Sequence, residues 1–259
     1  MKVEILNPEV LSTLYRNHGD FARVCYDTPE KYAEKVGEAC EKNGHMSGSR
    51  CEYIKFRLID IDRGTAEQCM RHEIGISFPF EDMDNYTFCD YSEKVVDVSP
   101  DQIVKNMGSF RYIDKSGFTY TTPTEIAKDE DLSACYDALM DAIEQARKML
   151  KEKLIGNGVE DKRANECANF VLPRCTNSTL TIGFSPEALI HFMHKRLCTR
   201  AQPEIRAVAI AIKKEVEKYN AKFALELVPH CQHLLWCPEG KMSCGAKPTK
   251  KQLEEILNE

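Results

Sequence analysis

The sequence has no apolar run approaching the roughly 18 residues that a bilayer-spanning helix needs, so nothing in it reads as a transmembrane segment. Its first stretch, Met1 to Glu9, carries acidic residues where a secretion signal carries a basic and then an apolar one, and the expectation is a cytoplasmic protein. Positive charge is not in excess either: 35 Lys and Arg face 41 Asp and Glu, a formal charge of −6. No basic cluster interrupts that balance, so neither nucleic acid nor a membrane surface is expected as a partner. Internal repeats and low-complexity tracts are missing as well. A 259-residue chain with 42% hydrophobic residues is long enough to bury a sizeable core.

Cysteine is what the sequence has in plenty. Without a secretion signal its twelve cysteines are expected to stay reduced rather than form a disulfide framework. Nine are scattered singly, and Cys231, Cys237 and Cys244 cluster. Their five- and six-residue gaps are wider than the usual C-x(2–4)-C metal knuckle, so no metal is assigned and the expectation is reduced thiols in a packed tail.

Periodicity sets the organisation. Thr28 followed by Pro29 predicts the start of a helix ending at Gly44, with Tyr32, Val36, Ala39 and Cys40 on one face. Ile54, Phe56 and Leu58 alternate with Lys55 and Arg57 as a half-buried strand, and a short helix follows through Gln68 and His72. Residues 75–105 show no sustained period and read as an insertion. Leu132, Tyr136, Leu139, Ile143, Ala146 and Leu150 predict a long amphipathic helix ending near Gly156. Leu180, Ile182 and Phe184 mark another strand. Ser185-Pro186 opens a helix through Arg200, and Gln202-Pro203 opens one through Asn220. The expected fold is α/β of the α+β type, one domain over 1–228 with a small mixed or antiparallel sheet packed by long helices, followed by a cysteine-containing tail over 229–259.

Three places could carry chemistry. Gln68, Arg71 and His72 share one side of a helix, where a guanidinium, an imidazole and an amide suit an anion or a base edge. Asn106 to Tyr112 sets Ser109, Arg111 and Tyr112 in an irregular segment, and Arg offers a bidentate fork for phosphate. Ser185 to Arg206 is rich in imidazole and cation, with His191 and Lys195 on one helix face. His45 sits in a loop of small residues that suits a ligand or a plain turn.

Taken together, Arg23-Val24-Cys25-Tyr26-Asp27, Gly44-His45, Gln68-x-x-Arg71-His72, Asn106-x-x-Ser109-x-Arg111-Tyr112, Val171-Leu172-Pro173, His191-Phe192-x-x-x-Arg196 and Arg200-Ala201-Gln202-x-Glu204-Ile205-Arg206 resemble the flavin-dependent thymidylate synthase family. The resemblance covers most of residues 1–225. It implies a homotetramer whose sites are shared between subunits, and C5 methylation of dUMP with FAD as redox carrier, methylenetetrahydrofolate as carbon donor and NADPH as reductant. By position it assigns Gln68, Arg71, Ser109, Arg111 and Arg196 to the nucleotide, with Ser109 and Arg196 at catalytic positions. His45, Ser47, Arg71, His72, Glu73, Ser185 and His191 fall at flavin positions.

The chain also departs from the family pattern. Glu73 and Glu187 stand where the family has Arg, Met107 where it has Glu, and Asn169 or Phe170 where it has a nucleotide-binding Arg. Losing one cation is expected to weaken the nucleotide site unless a replacement is supplied. A divergent paralogue acting on another pyrimidine nucleotide by methyl or hydroxymethyl transfer, and a non-catalytic nucleotide- or flavin-binding protein, are the alternative readings.

Overall fold

The computed structural model describes residues 1–72 and 103–257; Glu73 and most of the 75–105 insertion lie outside the described residues. Four antiparallel strands, β1 (Lys2–Ile5), β2 (Ile54–Asp62), β3 (Ile103–Met107) and β4 (Asn177–Phe184), form one sheet in the order β1-β2-β4-β3. The alternation read in β2 and β4 fixes their pairing. Phe56 lies opposite Ile182 and Leu58 opposite Leu180, all buried on one face, as the two-residue period requires. The register shifts between Leu58 and Ile61, where Asp60 takes a positive φ of 56°, and the strand then delivers Asp62 to the start of a helix.

That helix, α3 (Arg63–Met70), begins where Asp62 accepts a hydrogen bond from Thr65 N at 2.8 Å. Ahead of it, α1 (Glu9–Ala22) and α2 (Ala33–Lys42) pack together. The expected start at Thr28 is corrected: Pro29 has ψ 144°, a 3₁₀ turn follows at Glu30–Tyr32, and the α-helix begins at Ala33. The buried face of α2 is Ala33, Gly37 and Cys40, while Tyr32 and Ala39 are exposed.

After β3 come α4 (Thr124–Ala127), α5 (Glu130–Gly156) and α6 (Asp161–Ala168). Past β4, α7 (Pro186–Arg196) and α8 (Pro203–Glu217) each start with proline in the first turn, as expected, but end at Arg196 and Glu217 rather than at Arg200 and Asn220. Then follow α9 (Ala221–Glu226), α10 (His230–Leu234) and α11 (Lys250–Leu257). The core lies between the sheet and α1, α3, α7 and α8, with Phe56, Phe184 and Phe192 fully buried in it. Removing such side chains from water drives the assembly at about 1.5 to 3 kcal/mol each.

The stripe expected on α5 is not buried within the chain. Met140 and Arg147 are the buried residues of α5 among those described, whereas Leu132 and Leu139 are each 54% exposed.

Candidate functional site

The pairing of β2 with β4 brings together residues far apart in sequence. Asp62 lies opposite Asn177, Arg63 N donates to Thr176 O at 3.1 Å and Gly64 N to Arg174 O at 3.0 Å. Arg63 and Arg174 therefore stand side by side, and Glu67 accepts from both, at 3.2 and 3.5 Å. They line a cavity of about 600 Å³ together with Met107, Ser109, Phe110, Arg111, Glu166, Asn169, Phe170 and Leu172. Two of the expected nucleotide residues, Ser109 and Arg111, thus share one cavity, and sequence reasoning missed its two further guanidiniums. Their signal lay in the strand register.

The cavity wall is held from behind. Asn169 donates through Nδ2 to Phe110 O at 2.7 Å and to Ile113 O at 3.3 Å, fixing the segment that carries Ser109 and Arg111. Asn169 is buried, and its Oδ1 has no protein partner among the described residues. The Arg63 guanidinium, at 4.9 Å, and Lys115 Nζ, at 4.8 Å, both lie over the Phe110 ring. Burial pushes the Lys115 ammonium below its ordinary pKa. Arg111 pairs with Glu166 at 2.9 Å, and Arg163 holds the same carboxylate at 2.8 Å.

The other expected residues lie elsewhere in the chain. Gln68 donates to Gln202 Oε1 at 2.5 Å, tying α3 to the start of α8. Arg71 is exposed just beyond α3. His72 Nε2 and His191 Nδ1 are 3.1 Å apart, and the edge of Phe192 packs on His72 with ring centres at 5.1 Å. Burial first, and then the charges of His191, Arg196 and Lys195, push the His72 pKa down to about 3; burial lowers His191 as well. The imidazole pair is therefore neutral at pH 7.

Ser185 is fully buried, and its hydroxyl accepts from Ala188 N at 3.2 Å. That hydroxyl caps α7 and so positions the helix bearing His191. Glu187 on α7 accepts from Arg50 at 2.5 and 3.1 Å. His45 precedes the 3₁₀ segment Met46–Cys51 that holds Ser47, and its carbonyl is 3.0 Å from His18 Nε2.

Arg196 does not share the cavity of Ser109 within one chain. It lines a second, of about 240 Å³, with His194, Lys195, Cys198, Arg200, His230, Cys231, Cys237 and Cys244 among its neighbours. Arg196 Nε and His194 Nε2 are buried without a protein partner among the described residues.

A family model described as thymidylate synthase complementing protein matches residues 16–220. A flavin-dependent thymidylate synthase of Nitratidesulfovibrio vulgaris is 33% identical over 266 residues, covering 97% of both chains. One from Clostridium tetani is 26% identical over 90% of this chain and 89% of its own. One from Pyrococcus abyssi is 34% identical over about half of each. A family model spanning most of the chain, and a relative one-third identical along nearly all of it, show that the chain belongs to the thymidylate synthase complementing protein family, the enzymes called flavin-dependent thymidylate synthases.

Proposed function

We propose that this chain methylates dUMP at C5, taking the methylene carbon from methylenetetrahydrofolate and two electrons from NADPH by way of FAD, and releasing dTMP and tetrahydrofolate. The cavity around Ser109 carries the reading. Three guanidiniums, one of them paired with Glu166, a hydroxyl and two phenyl rings line a space of about 600 Å³, a composition suited to an anionic pyrimidine nucleotide. Arg63 and Arg174, held together by Glu67, supply the charge for its phosphate. Asn169 works as a brace for the Ser109 segment, so its place in the sequence does not leave the cavity short of cations. Ser109 and Arg111 then face the base and sugar.

The remaining residues fit a flavin. The neutral His72–His191 pair gives donors and acceptors without net charge against the Phe192 edge, as a flavin ring requires. Arg71 and Lys195 are cations suited to the cofactor's diphosphate. His45, Ser47, Arg71, His72 and His191 would hold it, with Glu73 beside them in sequence. When bound, a flavin supplies hydride transfer that protein side chains cannot. Arg196, at a position the resemblance gives to the nucleotide, would serve the cavity of a neighbouring subunit, and a homotetramer would join the two half-sites.

Turnover of dUMP with methylenetetrahydrofolate and NADPH tests this, read as dTMP formed, beside UMP, dCMP and CMP. Arg174→Ala is expected to weaken dUMP binding tenfold to a hundredfold, since a charge-assisted bond is worth about 1.5 to 3 kcal/mol, and to leave flavin binding unchanged. Colourless protein that takes up no FAD, or turnover of another nucleotide in preference to dUMP, would overturn the reading.

A further inference from the structure

Residues beyond Pro229 build little core of their own. Among the described side chains of 229–257, Cys237 is the buried one. A segment of this size without an apolar centre needs a staple. Four cysteines from three places in the chain line the cavity of about 240 Å³ against which the segment lies: Cys198 in the turn after α7, Cys231 on α10, and Cys237 and Cys244 further along. All four are free thiols.

We propose that Cys198, Cys231, Cys237 and Cys244 bind one structural zinc ion, which fastens the C-terminal tail to the turn after α7. Four thiolates complete the closed tetrahedral set that structural zinc prefers. Local geometry at two of the sulfurs already suits thiolate. Arg200 N approaches Cys198 Sγ at 3.5 Å, and the backbone at Ala246 together with the Thr199 hydroxyl bonds to Cys244. Both cysteines thus accept from the backbone N–H two residues on, at the end of a tight turn. In the second turn Gly245 has φ 82°, a conformation glycine adopts without strain.

A metal takes the place of the thiol protons, one from each sulfur. The resulting centre carries two net negative charges, and Arg200 lines the same cavity to offset part of them. Among the described residues no three His, Cys, Asp or Glu groups already form a ligand set. Each thiol turns about a single χ1 bond, and the ion gathers the four. His194 and His230 stack with ring centres 5.0 Å apart and form a wall of the site rather than its ligands.

The test uses the full chain purified without chelator, with metal measured by inductively coupled plasma mass spectrometry. One zinc per chain is expected. Replacement by Co²⁺ should give the intense sulfur-to-metal band and the visible d–d bands of a tetrahedral four-sulfur site. Cys198→Ser and Cys244→Ser should each lower zinc affinity at least tenfold, while Cys167→Ser and His230→Ala retain it. Chelation of wild-type protein should also expose Lys241 and Lys247 to trypsin, a readout that does not depend on any variant folding. Reduced, folded protein that takes up neither Zn²⁺ nor Co²⁺ would overturn the proposal, as would disulfides among the four cysteines in protein kept under reductant or loss of the metal in His230→Ala. These readouts are metal content, spectrum and proteolysis rather than turnover, so the two readings fail separately.

Discussion

Glu41, near the end of α2, is a carboxylate whose two oxygens are buried without a partner among the described residues. Burial, followed by the nearby charge of Glu226, raises its pKa to about 7, against which Lys222 acts in the opposite direction. The folded chain therefore keeps this proton over a pH range in which the unfolded chain has lost it. Below about pH 4.5 both states hold the proton and the site costs nothing. Between there and about pH 7 stability falls as pH rises, because the folded state binds more protons, and above that range the loss is complete. Glu41→Gln removes the titration. Thermal melts should show the variant gaining over wild type at pH 8 and losing that gain at pH 5; an equal difference at both values would mean that Glu41 is ionised in the fold. Asn169 and Glu187 carry the same lesson at other positions. Each has neighbours distant in sequence that sequence patterns do not show: Arg63 and Arg174 line the cavity with Asn169, and Arg50 is bonded to Glu187.

Among the elements, α1 and α2 cross at glycine. A Cβ on Gly37 would lie 1.8 Å from Tyr15 O and 2.8 Å from Gly19 N, and one on Gly19 would lie 1.7 Å from Ala33 O. Backbone cannot give way as a flexible side chain does, so Gly37→Ala should force the helices apart at a cost of about 3 kcal/mol or more. A lower midpoint in denaturant at unchanged slope would show it, and an unchanged midpoint would refute the close crossing. This pair also explains what the sequence concealed. The buried stripe of α1 is Leu11, Leu14, His18 and Gly19, and the last two are not read as apolar, so no helix was expected there. β3 escaped notice because it is an edge strand, with Val104 exposed and Lys105 and Asn106 breaking the alternation. β2, β4, α5 and the proline-led starts of α7 and α8 were legible, since their signals are local. The site divides in the same way: Ser109 and Arg111 belong to one short motif. Arg63 meets Arg174 only through strand register, and Cys198 meets the tail cysteines only through the fold.

The molecule as a whole has more apolar surface on α5 than a lone chain accounts for. Leu132, Leu139, Met149, Leu150 and Ile155 are exposed along a 27-residue helix. Of the expected nucleotide residues, Ser109 and Arg111 meanwhile line one cavity and Arg196 another. In the proposed tetramer a second copy of the chain would answer both, covering the helix and bringing one half-site to the other. In a symmetric assembly each buried leucine counts in both partners, at about 1.5 to 3 kcal/mol per side chain removed from water. Arg147 fits this picture as the inner anchor of α5. It is fully buried, bonded to Glu144 at 2.7 Å and to Ser116 at 3.0 Å, and it pins the helix to its own chain so that the apolar side is left outward. Sedimentation at micromolar concentration should therefore give a tetramer. Leu132→Glu with Leu139→Glu should yield smaller species and at least a tenfold loss of dUMP turnover, while the far-ultraviolet circular dichroism of the chain is kept. A monomeric wild type with full turnover would show that the cavity beside Ser109 is complete in one chain and that Arg196 serves another purpose.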